Sequence, residues 1–256
     1  MDPKDIFSLE GKVAIITGAS KGIGRSMAEA LAAFGATVVI SSRKQSDIDN
    51  VAKSINDAGN RAIAIAANIG DFEQARELVD KTVDSLGSVD IIVNNAATNP
   101  VYGSSTKTDE AAFEQIFKVN VQGIFELCKQ ALPIMKERGG GSIINISSIG
   151  GLRPEPGVGI YSVSKSALIQ LTNVMALEWG RYNIRANSVA PGLIKTKFSE
   201  AMWSNDKLLQ HFLATTPLHR VGNPEDLMGI AVYLASDASS YATGGVYLVD
   251  GGYLLT

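Results

Sequence analysis

Ser148, Tyr161 and Lys165 lie in one stretch, INISSIGGLRPEPGVGIYSVSKSALIQLT, which begins as a buried strand and ends as a helix. A tyrosine and a lysine at i and i+4 share one helix face. A free phenol, with a pKa near ~10, is a weak acid–base partner at neutral pH. A neighbouring ammonium favours the phenolate and lowers that value. The spacing therefore suits proton transfer through Tyr161, with Ser148 at the strand end donating to a substrate oxygen. A helix with a snorkelling lysine has the same spacing, so the surrounding elements have to decide.

A second cluster lies near the N-terminus. VAIIT (13–17) runs into TGASKGIG (17–24) and then into an amphipathic helix. Gly18 permits a tight turn, Gly22 lets the backbone approach a phosphate, and Gly24 lets helix and strand pack closely. Ser20, Lys21 and Ile23 complete the turn, and the helix N-terminus offers free N–H groups to a pyrophosphate. A dinucleotide site follows. An NAD(H) site would carry an acidic residue at the end of the second strand. Here that strand ends in SSRK (41–44), with no carboxylate before Asp47. Arg43, beside Ser42, and Lys21 supply two cations, so NADP(H) is preferred over NAD(H).

The elements that must position these groups alternate regularly. VAIIT (13–17), TVVIS (37–41), AIAIA (62–66), DIIVN (90–94), SIINIS (142–147), IRANSVA (184–190) and a late GVYLVDGG (245–252) read as strands. Helical patterns cover 23–34, 46–58, 71–86, 108–137 and 160–181. Short, nearly continuous apolar strands separated by helices predict an α/β fold with a doubly wound parallel sheet of about seven strands and helices on both faces. One domain over 1–256 is the simplest organisation. Pro133 should bend or interrupt its helix. The alternation lapses over 191–222, a candidate substrate loop or lid.

The chain has 256 residues, 45% of them hydrophobic and 19% charged, with a net charge of −3. No basic stripe points to nucleic acid, and no run approaches the ~18 apolar residues of a membrane span. The charged N-terminus is unlike a signal peptide. The single cysteine, Cys128 in an apolar helix, reads as a buried structural thiol in a reducing, cytoplasmic compartment. His211 and His219 stand without other ligands at metal spacing.

TGASKGIG (17–24), NNAA (94–97), Asn120 in KVNVQG, Ser148 in NISSIGG, Tyr161 and Lys165 in YSVSK, and PGLIKT (191–196) occur in this order. In these motifs, and over nearly its whole length, the chain resembles the short-chain dehydrogenase/reductase family of single-domain Rossmann type. SSRKQ, NAATNP and APGLIKTKF look most like its NADPH-dependent carbonyl reductases of peroxisomal type, although the chain ends YLLT rather than Ser-Lys-Leu. Ala97 stands where the family usually has glycine, and Asn68 where it often has aspartate.

The resemblance implies a hydride exchanged between the cofactor and a ketone, aldehyde or secondary alcohol, with Tyr161 as acid/base and Lys165 also holding the nicotinamide ribose. Asn120 would hold a water linking Lys165 to solvent. Asn94 would tie the central strands, while Asn95, Ala96, Asn68 and Ile69 would line the adenosine side. Pro191, Gly192, Ile194 and Thr196 would flank the nicotinamide. Thr98, Asn99, Ile149, Glu155, Phe198 and Trp203 are candidate substrate contacts. The chemistry needs no metal, and the resemblance implies a homotetramer. Two alternatives remain. One is a 3-oxoacyl-carrier-protein reductase, for which Arg138 could serve as a docking cation but Tyr182 stands where a second arginine is expected. The other is a non-catalytic NADP(H)-binding regulator.

Overall fold

The apolar strands are explained by what covers them. In the computed structural model, which describes residues 5–256, seven strands form one parallel sheet in the order β3-β2-β1-β4-β5-β6-β7. They are β1 Val13–Thr17, β2 Thr37–Ser41, β3 Arg61–Ala64, β4 Ile91–Asn94, β5 Gly141–Ile146, β6 Ile184–Pro191 and β7 Val246–Val249. In β1, Ala14 and Ile16 enter one core, and Val13 and Ile15 enter the other. A strand buried on both faces has no use for polar alternation. Helices α1 (Gly22–Ala33), α2 (Gln45–Asp57) and α9 (Met228–Ala235) cover the first face. Helices α3 (Phe72–Leu86), α5 (Gly123–Glu137) and α6 (Gly159–Trp179) cover the second. The strand order reverses between β1 and β4, and the crevice beyond the carboxyl ends of these strands is where such sheets bind ligands. No helix among the described residues is long and apolar enough to cross a membrane.

The helix expected over 108–137 is interrupted, but not at Pro133, which lies inside the continuous α5. The break is a π-helical segment, Lys118–Gln122, between α4 (Glu110–Phe117) and α5. The extra residue in this wide turn carries Asn120, which is fully buried. Immediately after it, Gly123 lies so close to the α3–β3 connection that a Cβ would stand 1.9 Å from the Ile69 carbonyl oxygen.

Two further departures concern the C-terminal third. The irregular 191–222 segment contains α7 (Glu200–Trp203) and α8 (Asp206–Thr215). Helix α9, which the sequence reading leaves out, is short and largely apolar, MGIAVYLA. It shows no polar stripe from which a helical period could be read.

Candidate active site

A single cavity of about 680 Å³ runs along the carboxyl edge of the sheet and contains both sequence clusters. At one end the glycine turn folds as its spacing requires. Gly18 and Gly22 adopt left-handed φ values of +64° and +59°. A Cβ on Gly24 would lie 2.5 Å from the Asn95 amide nitrogen and 2.7 Å from the Gly18 carbonyl. That amide donates to the carbonyls of Thr17 and Gly18 at 3.1 and 3.0 Å. The Thr17 hydroxyl accepts the backbone N–H groups of Asn95 and Ala96, each at 3.1 Å. Asn95 and Ala96 thus line the cavity and fasten the turn to β4.

Helix α1 begins at Gly22 with no side-chain cap and no acidic residue in its first turn. Its orphan N–H groups and partial positive charge are suited to an anion. Ser20, Lys21, Ile23, Ser42, Arg43, Asn68 and Ile69 line this end. Among the described residues, neither Lys21 nor Arg43 has a carboxylate partner within 4.0 Å. The Asn68 oxygen already accepts the Gly70 N–H at 3.1 Å, which leaves it one lone pair. Pro191, Gly192, Ile194 and Thr196 wall the middle of the cavity. An uncapped helix N-terminus, a turn with no room for Cβ atoms and two unpaired cations fit a phosphorylated dinucleotide.

At the other end the catalytic candidates meet. Ser148 lies two residues beyond β5 and caps the following turn, its hydroxyl accepting the Gly150 N–H at 3.1 Å. Tyr161 and Lys165 project from the first turns of α6. Lys165 is 2% exposed, and its Nζ donates to the Ile146 carbonyl at 2.7 Å. The π segment turns Asn120 inward, where its Nδ2 donates to the Thr98 carbonyl and the Ser164 hydroxyl, each at 3.0 Å, and its Oδ1 accepts the Thr98 N–H at 2.8 Å. Both amide hydrogens are therefore used within the scaffold. Beneath the site, Asn94 donates to Asn145 at 2.8 Å and to the sulfur of Cys128 at 3.2 Å. Burial raises that thiol to about 12, which keeps it inert as expected.

One expectation is corrected. Lys165 does not lower the tyrosine. Burial pushes the Tyr161 phenol up, repulsion from Tyr102 and Glu155 adds to this, and only the contact with Ser148 pulls it down. The ammonium is engaged by Ile146, 5.6 Å from the Tyr161 ring centroid. Burial also lowers Lys165 itself to about 7, so near neutrality it carries only part of a charge. The i, i+4 spacing correctly places the two groups on one face but leaves out their desolvation.

The lysine makes a prediction for stability. Its folded pKa of about 7 lies below the ordinary value of 10.5. Between these limits the unfolded chain binds a proton that the folded chain does not, so this group makes stability rise with pH, by ~1.4 kcal/mol per unit. Urea unfolding of the cofactor-free protein at pH 7.5 and 9.5 should show the wild type gaining about 2–3 kcal/mol more than Lys165→Met over that interval. Equal gains in both proteins would contradict the assignment.

Thr98, Asn99, Ile149, Glu155 and Phe198 line the outer half of the cavity. Trp203 does not. Its indole N–H donates to the Thr196 carbonyl at 2.9 Å, and its ring underlies Lys195, so it ties the 191–222 segment together rather than lining the cavity. Sequence reasoning missed Tyr102, Val158, Met202 and Phe212. Tyr102 donates to the Phe198 carbonyl at 3.0 Å and so joins the β4–α4 loop to the 191–222 segment. The Phe198 ring lies 5.7 Å from that of Tyr161. Phe212 could have been suspected as the buried residue of α8, but which cavity α8 covers is not encoded in its periodicity.

A doubly wound parallel sheet with an anion cradle at its switch point, sharing one cavity with a Ser–Tyr–Lys set, defines a nicotinamide-dependent oxidoreductase. The chain belongs to the short-chain dehydrogenase/reductase family. The family profile described as Enoyl-(Acyl carrier protein) reductase matches residues 18–254. Dehydrogenase/reductase SDR family member 4 of Sus scrofa is 41% identical over 244 residues, which cover 95% of this chain and 88% of that protein. The crystal structure of a gluconate 5-dehydrogenase from Burkholderia cenocepacia J2315, in complex with NADP and tartrate, superposes with a TM-score of 0.95 at 32% identity and 99% coverage of each chain. A 3-oxoacyl (acyl-carrier-protein) reductase from Agrobacterium tumefaciens C58 with NADP bound has a TM-score of 0.93 at 29% identity, covering 99% of this chain and 98% of that one.

Proposed function

We propose that the protein is an NADP(H)-dependent carbonyl reductase that converts a ketone or aldehyde to an alcohol. The observation that carries this reading is the cavity itself, in which the unpaired cations Lys21 and Arg43 lie at one end and Ser148, Tyr161 and Lys165 at the other. The nicotinamide, when bound, supplies the hydride. Ser148 donates a hydrogen bond to the carbonyl oxygen and steadies its developing negative charge. Tyr161 delivers the proton to that oxygen, so the carbonyl becomes a carbinol. Its raised pKa keeps the phenol protonated through neutral pH, the form that reduction requires. Lys165, lowered to about 7, can replenish this proton near neutrality. The resemblance to peroxisomal-type carbonyl reductases and the NADP bound in two similar structures favour the same cofactor.

The acyl-carrier reading is weaker. Arg138, its candidate docking cation, is held by the buried Asp90 at 3.2 Å. A purely regulatory role leaves the complete catalytic set without a purpose. A homotetramer, as in the family resemblance, is supported by the exposed apolar side chains Phe113, Val163, Val174 and Leu177 on α4 and α6. The direct test is NADPH absorbance followed over a panel of ketones, β-ketoesters, quinones, sugars and steroids, repeated with NADH. Consumption with at least one carbonyl class, faster with NADPH, is expected. NADPH binding with no turnover of any class would overturn the reading.

A further inference from the structure

Among the described residues that line the cavity, Glu155 is the single carboxylate. Every other charged group there is a cation: Lys21 and Arg43 at the cofactor end, then Lys118, Lys165 and Lys197. Glu155 stands in the Arg153-Pro154-Glu155-Pro156-Gly157 loop that leads into α6. Flanking prolines restrict its backbone to extended conformations. The loop is pinned from two sides. The Gly103 N–H donates to the Gly157 carbonyl at 2.9 Å. Arg153 donates to the carbonyls of Thr256 and Tyr253 at 2.5 and 3.2 Å, with its guanidinium over the Tyr253 ring. The carboxylate is therefore placed by a stiff support.

It also has no direct ion pair. Among the described residues, no lysine or arginine approaches it within 4.0 Å. The nearest cation in sequence, Arg153, is committed to the C-terminal carbonyls, and Lys197 is paired with Glu200. Burial raises the pKa of Glu155, and the Tyr253 hydroxyl and the charge of Arg153 offset this only in part. A carboxylate can accept about four hydrogen bonds, so this half-buried one has acceptor positions to offer a ligand in the cavity. Ile149, Val158, Phe198, Met202 and Phe212 give this end a largely apolar lining beside the uncharged polar Thr98, Asn99 and Tyr102.

We infer that Glu155 sets substrate specificity, and that the preferred carbonyl compound has an apolar body, presents a hydroxyl or amine donor to Glu155 and carries no carboxylate on that side. This rests on the carbonyl-reductase reading and adds a charge rule to it. It separates this cavity from that of the gluconate 5-dehydrogenase, whose structure holds tartrate. An anionic aldonate would meet the one carboxylate among the described lining residues, and a donor-bearing ketone would bond to it.

The test uses three acetophenones that differ at one meta substituent: hydroxymethyl, ethyl or carboxylate. For the wild type, kcat/KM should be at least about tenfold higher for the hydroxymethyl than for the ethyl compound, a site built to bond a hydroxyl rejecting the analogue without one. The carboxylate should be the poorest. Glu155→Leu should erase the hydroxymethyl preference, and Glu155→Gln should raise the carboxylate compound at least about tenfold relative to the ethyl one. Calorimetric binding of the same compounds to NADP⁺-saturated protein reads this ranking without turnover, and retained NADP⁺ affinity reports intact folding of the variants. Ranked binding without reduction would support the charge rule while removing the reductase reading. Reduction of all three with the same ranking in wild type and both variants would overturn the charge rule alone, as would binding of none of them.

Discussion

Tyr161→Phe is expected to lower kcat for ketone reduction by about 10³-fold, within the range that a positioned general acid contributes. The ring stays, and with it the packing against Phe198 at 5.7 Å, so only the hydroxyl is lost. NADPH affinity should change by less than about tenfold, because the phosphate cradle lies at the far end of the cavity. The wild-type pH profile should be asymmetric. Burial, with Tyr102 and Glu155, holds the phenol above its ordinary value. Reduction, which uses the phenol, therefore stays flat through neutral pH. Alcohol oxidation, which needs the phenolate, climbs steadily as the solution becomes alkaline. Steady-state rates in both directions check these outcomes. A loss below tenfold in the variant would move the proton to another group.

The second large effect concerns the choice of cofactor. Replacing Lys21 and Arg43 together by alanine should raise the Kd for NADPH by about 100-fold and that for NADH by less than threefold. Both side chains are exposed at the rim of the cofactor end and have no carboxylate partner among the described residues. Each can make a charge-assisted bond to a 2′-phosphate, worth ~1.5–3 kcal/mol at full strength and less at an exposed site. The uncapped α1 N-terminus would serve the pyrophosphate that both cofactors share, and so would not discriminate. Fluorescence titration with each cofactor measures the two constants. Equal weakening for NADH and NADPH would show that the cations do not read the 2′-position.

Much of this arrangement is legible in the chain because burial leaves a simple mark. Strands such as VAIIT and TVVIS are apolar throughout because helices cover both faces of the sheet. The glycines of the first turn are legible for a related reason, since a left-handed φ with a 2.9 Å approach of a Cβ at Gly18, and a 2.5 Å approach at Gly24, exclude other residues. Ser148, Tyr161 and Lys165 follow from a strand end and a helix face.

What escaped has physical causes as well. The break before α5 comes from Asn120 turning inward to bond Thr98 and Ser164, a tertiary demand without local signature, whereas Pro133 is absorbed within the helix. Trp203, a candidate substrate contact, stands outside the cavity because its N–H is spent on Thr196. Tyr102 and Phe212 enter the cavity from a loop and from the short helix α8, whose placement depends on contacts distant in sequence, including the 4.8 Å stack of Phe212 on Tyr253. The Tyr161 pKa is of the same kind. Spacing shows which groups are neighbours, and only packing shows how much water they lose.

The measurement that bears most directly on the proposed hydride transfer is isotopic. The wild type is supplied with NADPH deuterated on the transferred face of the nicotinamide and with a ketone that it turns over, and the alcohol is examined by proton NMR. Deuterium at the carbinol carbon, with the hydroxyl proton drawn from solvent through Tyr161, is the predicted result. An alcohol without deuterium at that carbon from either face-labelled cofactor would contradict hydride transfer.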